Sequence, residues 1–406
     1  MNILFLALEP PYPPNDGGRI RTYNIVKQVS KHHSVTLLTS FKQSSDDGEL
    51  GELRQYCQEI YIIHPQPTIS RSLINKIKDL KRRYPVALDE HTSDEMRTTI
   101  ESLVNIGRFD VIHIDQIYLA QYVDLFGRLP SVLTHHNVES IAQRRWLWRR
   151  HDRFLPRWWG YWLEYYRWYR YEIEVSGRFD ALAVVSEQEA EYYKARVQEV
   201  PVFVVPNGVD TNYFQPVNGI NNPPSLLFTG RMNYFPNVDA MQWFCKEIYP
   251  LVRQEIPEVT LSIVGREPLA EIQSLDSPPS VVVTGEVDDV RPYFAQSSIF
   301  VVPLRFGSGT RLKILEAMAL GLPVISTSMG SEGLDVTPGK DLLLADSSQE
   351  FASQIISLLK NKNSQIKMAN SARQTVEELY DWAIIAQQQE RVYEAAIAHW
   401  KNRTEH

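Results

Sequence analysis

The stretch GSGTRLKILEAMALGLPVIST, residues 307–327, places two cations and a carboxylate where a glycine-bearing loop runs into a helix-like pattern. Gly307 and Gly309 let the backbone come close to a ligand, and Thr310 is of the type that caps a helix N-terminus. A helix start presents free amide N–H groups and partial positive charge, which suits a phosphate. Arg311 and Lys313 add formal positive charge at that same end, which is unfavourable unless an anion or a carboxylate compensates it. Glu316 follows Lys313 by three residues and can share its face, so a weak surface Lys–Glu pair is the plainer account. Loop position, glycines and the two charges together favour an anion site.

Two further loops carry polar residues of the right types. EPPYPPNDGG, residues 9–18, ends in Gly17 and Gly18 ahead of a helical pattern with Arg19 and Arg21, a second place where a phosphate could approach. THHNVES, residues 134–140, sets two histidines at a strand end. His135, the last strand residue, is expected to point into its domain. His136, one place on, is expected at the ligand edge, where an imidazole can hydrogen-bond or move a proton. No G-x-G-x-x-G follows the first strand and no G-x-x-x-x-G-K-[ST] is present, so nicotinamide, flavin and P-loop readings have no fingerprint. Asp288 and Asp289 read as helix-capping residues, and Cys57 and Cys245 are too far apart for metal-ligand spacing. Neither a metal nor an organic cofactor is expected.

The elements that must position these loops alternate between short apolar strands and helical stretches, the signature of an α/β chain with parallel sheets. Strands are predicted at 3–8, 34–39, 59–64, 109–115, 131–135, 181–186 and 202–206, with helices such as 18–31 and 93–107 between them. The Pro-, Asn- and Gly-rich run 206–224 reads as a connection. A second series follows at 225–230, 259–265, 280–285, 298–303, 323–327 and 341–345, with helices near 237–253 and 310–320 and a strand-free tail. The expectation is two doubly wound, Rossmann-like domains, 1–205 and 206–378, and a helical tail, 379–406, packing back on the first. Such sheets bind ligands beyond the carboxyl ends of their strands, which singles out loops 9–18, 135–140, 230–237 and 303–310.

At 406 residues with 43% apolar and 22% charged residues, the composition is that of an ordinary globular protein, and a net charge of −7 argues against nucleic acid as a partner. No apolar run is long enough to span a bilayer. One segment departs from this average. RRWLWRRHDRFLPRWWGYWLEYYRWYRY, residues 144–171, holds six of the nine tryptophans and eight arginines. Trp with Arg suits a membrane interface or a glycan or lipid acceptor, whereas an amphipathic helix would bury the same aromatics in a core. Both readings stand at this level, and Pro156 is expected to divide the segment into two helices.

The combination of PPYPPNDGGRIRTYNI, THHNVES, VVPNGVDTNYFQP, LLFTGRMNYFPNVDA and FVVPLRFGSGTRLKILEAMALGLPVISTSMGSEGL resembles the retaining glycosyltransferases of family four over nearly the whole chain. That resemblance implies the GT-B fold, two Rossmann-like domains facing each other across a cleft. It implies a nucleotide-diphosphate sugar donor bound mainly by the C-terminal domain and a glycan or lipid-linked acceptor bound mainly by the N-terminal one, with no metal at the diphosphate. By the same resemblance, Arg311, Lys313 and the backbone at Ser308, Gly309, Thr310 and Leu312 hold the diphosphate. Glu316 accepts hydrogen bonds from the ribose hydroxyls. Gly17 and Gly18 close over the diphosphate, Arg231 and Asn237 lie on the donor side, and His136 stands near the donor sugar.

Three departures from the family pattern are visible. Ser308 replaces the first glutamate of a pair spaced by seven residues, Pro236-Asn237 occupies the region of an expected lysine, and Arg311 stands where many members have glycine. Arg311 and Lys313 are candidates to replace that lysine. The expected activity is polysaccharide or glycolipid biosynthesis in the cytoplasm, at the inner face of the plasma membrane. The alternatives are another GT-B enzyme, such as a nucleotide-sugar epimerase, or a non-catalytic nucleotide-sugar binding protein.

Overall fold

The structure is a computed structural model that describes residues 1–41, 51–64, 83–149, 157–216, 224–307 and 309–405. Contacts divide the chain into two units, Met1–Pro206 with Ile385–His406, and Asn207–Ile384.

The first unit is built on a seven-stranded parallel sheet in the order β3-β2-β1-β4-β5-β6-β7. Its strands are β1 (Asn2–Ala7), β2 (Ser34–Ser40), β3 (Glu59–Ile63), β4 (Val111–Ile114), β5 (Ser131–His135), β6 (Ala181–Val184) and β7 (Val202–Val204). The central strands β4, β5 and β6 are buried along their whole length and mainly apolar because helices cover both faces, so no polar-out alternation is needed. Phe5, Ile112, Leu133 and Leu182 are all at most 1% exposed. Helix Gly17–Val29 begins at the Asp16 carboxylate, which accepts the Arg19 amide at 3.1 Å. Helix Asp94–Ile106 is capped by Ser93 and stopped by Gly107 at φ 72°.

The aromatic segment forms helices Glu139–Arg149 and Arg157–Ser176; Pro156 lies outside the described residues. The second helix divides its aromatics between core and surface. Trp168, Tyr171 and Val175 are buried in the core, whereas Trp159, Trp162, Tyr166 and Tyr169 form an exposed stripe at i, i+3, i+7 and i+10. The C-terminal helix Trp382–Glu405 adds Val392 and Tyr393 to the buried set, and the Tyr393 hydroxyl lies 2.6 Å from His113 Nδ1.

The second unit has a six-stranded parallel sheet in the order β10-β9-β8-β11-β12-β13. These are β8 (Ser225–Thr229), β9 (Thr260–Val264), β10 (Val281–Gly285), β11 (Ile299–Val302), β12 (Val324–Ser326) and β13 (Leu343–Leu344). The sequence-predicted helix near 237–253 spans Phe235–Trp243, a five-residue π-helical turn Phe244–Ile248 and Tyr249–Glu255. In each sheet the direction of winding reverses once, between β1 and β4 and between β8 and β11. Loops leaving those paired strands diverge and open a crevice, so these two edges are where ligands are expected.

Candidate functional site

At the β8/β11 reversal, Lys313 is the residue around which the edge is organised. It enters on helix Leu312–Ala319, which follows β11 and its loop. Its amine donates to the Thr229 carbonyl at 2.5 Å and to Asn237 Oδ1 at 3.1 Å, and lies 4.2 Å from the Phe228 ring centroid. Asn237 is fixed in turn, because its Nδ2 donates to the Arg231 carbonyl at 2.8 Å. Lys313 therefore brings its charge to Asn237, in the region where the family pattern has its lysine. Gly230 makes room for it. With φ 155°, a Cβ at Gly230 would stand 2.8 Å from both the Lys313 amine and Asn237 Nδ2.

Burial, and then the Arg311 charge, push the Lys313 amine down to about 7, with Glu316 pulling the other way. Burial pushes the Glu316 carboxyl up to about 7, opposed by Lys313. The two sense each other's charge but form no ion pair, and among the described residues no group hydrogen-bonds the Glu316 carboxylate. It remains an acceptor at the same edge.

The loop before the helix differs in detail from the sequence expectation. Thr310 is not the N-cap: Arg311 occupies that place without a side-chain capping bond, and the helix starts at Leu312. Thr310 Oγ1 instead accepts from Asn207 Nδ2 at 2.6 Å. Arg311 folds back over its own loop, donating from Nη1 to the Gly309 carbonyl at 2.8 Å. Gly307, at φ 131°, permits this, since a Cβ there would lie 2.3 Å from Arg311 Nη2. Arg311 thus shapes the loop and adds to its positive field. Arg231 is exposed and pairs with Glu267 at 2.8 Å. Ser308 lies outside the described residues.

At the β1/β4 reversal, the first unit presents His136. Its Nε2 lies 3.3 Å from Asp115 Oδ1, and Thr22 donates to Asp115 Oδ2. Asp115 is 1% exposed. Burial works against its charge, but His136 holds the carboxyl below its ordinary value overall. An ionised carboxylate only accepts, so Nε2 must carry the proton it shares with Asp115. Nδ1 is then turned toward Gly18, 3.9 Å from where a Gly18 Cβ would stand. Gly17 opens the same helix and is exposed. The Asp16 carboxylate sits at this helix start, where it accepts the Arg19 amide, and the Arg19 side chain pairs with Glu9 at 2.6 Å. His135 points inward: Nδ1 is 2.9 Å from the Tyr193 hydroxyl, Nε2 is 3.1 Å from Ser176 Oγ, and burial pushes it down to about 3.

Sequence reasoning missed Asp115, Thr22 and Asn207. The signal for Asp115 was an acid closing the apolar run FDVIHID at a carboxyl strand end. It also missed Phe235, at the start of the helix after β8, and Phe306, in the loop after β11, whose rings stack with centroids 5.8 Å apart.

Both edges lie within stretches of the chain that match models of known families. A profile described as Glycosyltransferase Family 4 matches residues 15–213, and one described as Glycosyl transferases group 1 matches residues 223–361. The chain belongs to glycosyltransferase family 4. Among its relatives is an uncharacterized 44.6 kDa protein in the cps region of Klebsiella pneumoniae, 23% identical, with 93% of this chain and 96% of that one aligned. An MMP α-(1→4)-mannosyltransferase from Mycolicibacterium hassiacum is 23% identical over 82% of each chain. The fold of this glycosyltransferase is similar to that of a sucrose-phosphate synthase from Thermosynechococcus elongatus, with TM-score 0.71, 16% identity and 98% and 99% coverage. It is also similar to Anabaena HepE solved with UDP-glucose, with TM-score 0.67, 16% identity and 97% and 100% coverage. The family-4 glycosyltransferase therefore has the GT-B fold, with two parallel-sheet Rossmann-like domains.

Proposed function

We propose that this glycosyltransferase moves a sugar from a nucleoside-diphosphate sugar to a glycan or lipid-linked acceptor, with retention and without a metal at the diphosphate. One observation carries the donor reading. Lys313 is part-buried at the β8/β11 reversal, and among the described residues its amine donates to two neutral oxygens and forms no ion pair with a carboxylate. A cation so placed is completed by an anion, and the helix start beside it favours one too. HepE, of like fold, was solved with UDP-glucose, which supports a nucleotide-sugar donor here.

On this reading Lys313, with the loop that Arg311 shapes, stabilises the diphosphate as charge builds on it in the transition state. Glu316 receives the ribose hydroxyls. The acceptor O–H bond breaks as its oxygen bonds to the anomeric carbon, the bond from that carbon to the diphosphate breaks, and a diphosphate oxygen takes the proton. Attack from the face of departure retains configuration. His136, held by Asp115, contacts the sugar.

The exposed stripe Trp159, Trp162, Tyr166 and Tyr169, with Arg144 and Arg170 also exposed, supports a seat at the cytoplasmic membrane surface where a lipid-linked acceptor resides. Among the described residues no helix is long and apolar enough to cross a membrane. The name of one relative, a phosphatidyl-myo-inositol mannosyltransferase from Mycobacterium leprae, agrees with a lipid acceptor.

The test is a screen of UDP-, GDP- and ADP-linked sugars, following nucleoside diphosphate release with and without lipid-linked or glycan acceptors. Release that depends on acceptor is expected, and Lys313→Ala should lower it by about 3 kcal/mol of transition-state stabilisation. Sugar interconversion without acceptor would identify an epimerase, binding without turnover a non-catalytic protein. Near-wild-type turnover in Lys313→Ala would remove the diphosphate assignment.

A further inference from the structure

Glu172 is fully buried on helix Arg157–Ser176, and among the described residues no Lys or Arg forms an ion pair with it. A lone buried carboxylate is unfavourable unless donors surround it. Its donors come from another helix. Oε1 accepts the Glu139 amide at 2.5 Å and Oε2 the Ser140 amide at 3.1 Å. These are the first two residues of helix Glu139–Arg149. Val138, whose carbonyl accepts the Ala142 amide at 3.1 Å, stands in the N-cap place and has no side-chain acceptor. The cap that Ser, Thr or Asp normally provides locally is therefore supplied from 33 residues downstream.

The same carboxylate reaches the strand on the other side of the loop. The Tyr193 hydroxyl is 3.3 Å from Glu172 Oε1 and 2.9 Å from His135 Nδ1, and its ring stacks on His135 at 4.3 Å. One arrangement satisfies all of these groups: Ser176 donates to His135 Nε2, His135 Nδ1 donates to Tyr193, and Tyr193 donates to Glu172. His135 is thus tied at one end and Glu139 at the other, and both ties converge on Glu172. The span between them is His136, Asn137 and Val138.

We propose that Glu172 is a positioning residue that fixes His136 by clamping both ends of this three-residue span. The proposal rests on reading His136 as the sugar-side group. A cap that served helix stability alone needs no link to the strand; this one sets where β5 ends and where the next helix begins. Imidazole placement within the span follows from both, and Asp115 then fixes its ring.

Two readouts test it. Histidine NMR on the free protein follows the His136 ring as Glu172 is changed to Gln, which keeps size but sets an NH2 donor against one of the two backbone N–H groups in place of an accepting oxygen. His136 should shift and broaden, while His33, outside this network, stays put. An unchanged His136 signal in folded Glu172→Gln overturns the proposal. Kinetics with the donor found in the screen form the second readout, in wild-type and His136→Ala backgrounds. Glu172→Gln should lower kcat about tenfold with donor KM unchanged, and add nothing on His136→Ala. Equal losses in both backgrounds overturn the proposal. Full turnover in His136→Ala alone would instead remove the role of His136, and that single variant reports it separately. Should Glu172→Gln not fold, Tyr193→Phe cuts the link between His135 and Glu172 while keeping the ring. It should shift His136 and lower kcat several-fold in the wild-type background only, and absence of both effects overturns the proposal.

Discussion

Lys313 titrates where it matters. Its amine sits near 7 in the free protein, and a bound diphosphate would raise that value. Binding above pH 7 then requires proton uptake, so affinity for a nucleotide sugar should be flat below about 7 and fall above it, by at most about tenfold per pH unit. Glu316 titrates in the same window with the opposite sense, because its ionised form is the better acceptor for hydroxyls. Calorimetry from pH 6 to 9 on Glu316→Gln isolates the lysine, and the decline should vanish in Glu316→Gln with Lys313→Met. A profile unchanged by losing Lys313 would show that its amine does not meet the anion. Gly18 offers a second residue-scale test. A Cβ there would lie 3.4 Å from Asp16 Oδ1, 3.6 Å from Gln116 Nε2 and 3.9 Å from His136 Nδ1, all ordinary contacts. Gly18→Ala should leave the melting temperature within a degree or two yet lower turnover, since the unit's own packing does not demand glycine there. Unchanged turnover would free Gly18 of any ligand role. Lys313, Glu316 and His136 were legible because charges in the first turns of a helix after a glycine-bearing loop, and an imidazole just past a strand, are rare enough to notice. Asp115 was not, because a single acid after a buried strand looks like any strand end until the partner it holds is in place.

At the scale of elements, the thirteen strands among the described residues were legible in the sequence, since a strand covered on both faces is a short, mainly apolar run and little else in a globular chain is. Their order was not. Nothing local says that β4 returns beside β1, or β11 beside β8, yet those two placements decide which loops share a crevice. The N-cap also falls at Arg311 and not at Thr310, whose hydroxyl accepts from Asn207, a partner about a hundred residues away that no local pattern reveals. Helix Arg157–Ser176 carries a buried and an exposed aromatic face, which substitutions can separate. Replacing buried Trp168 by Ser should destabilise by about 3–5 kcal/mol, through lost burial and the cavity left. Replacing exposed Trp162 by Ser should change stability by no more than about 0.5 kcal/mol. Denaturant melts of the two variants check this directly, and comparable losses would mean that the outer stripe is also part of the packing.

For the whole molecule, net charge is −7, so attraction to an anionic membrane has to be local rather than global. The aromatic segment supplies eight arginines within residues 144–171 and, on its described outer face, Trp146, Trp159, Trp162, Tyr166 and Tyr169. Arginine can draw the protein to anionic headgroups over roughly a Debye length, about 8 Å at physiological salt, while tryptophan rings insert at headgroup depth and hold it there. The two contributions separate by salt. With vesicles of phosphatidylcholine and phosphatidylglycerol, sedimentation at low ionic strength should bring down most of the wild-type protein. Raising salt should weaken capture by removing the charge contribution and leave a residual fraction held by the aromatics. Trp159→Ser with Trp162→Ser should abolish that residual fraction while leaving low-salt attraction and the melting temperature nearly intact. Transfer to a short water-soluble acceptor should survive in the same variant, because the stripe faces away from the buried residues that anchor the His136 loop. Absence of any wild-type sedimentation at low salt would end the membrane reading. Loss of soluble-acceptor transfer in the double variant would reassign the stripe to acceptor recognition instead.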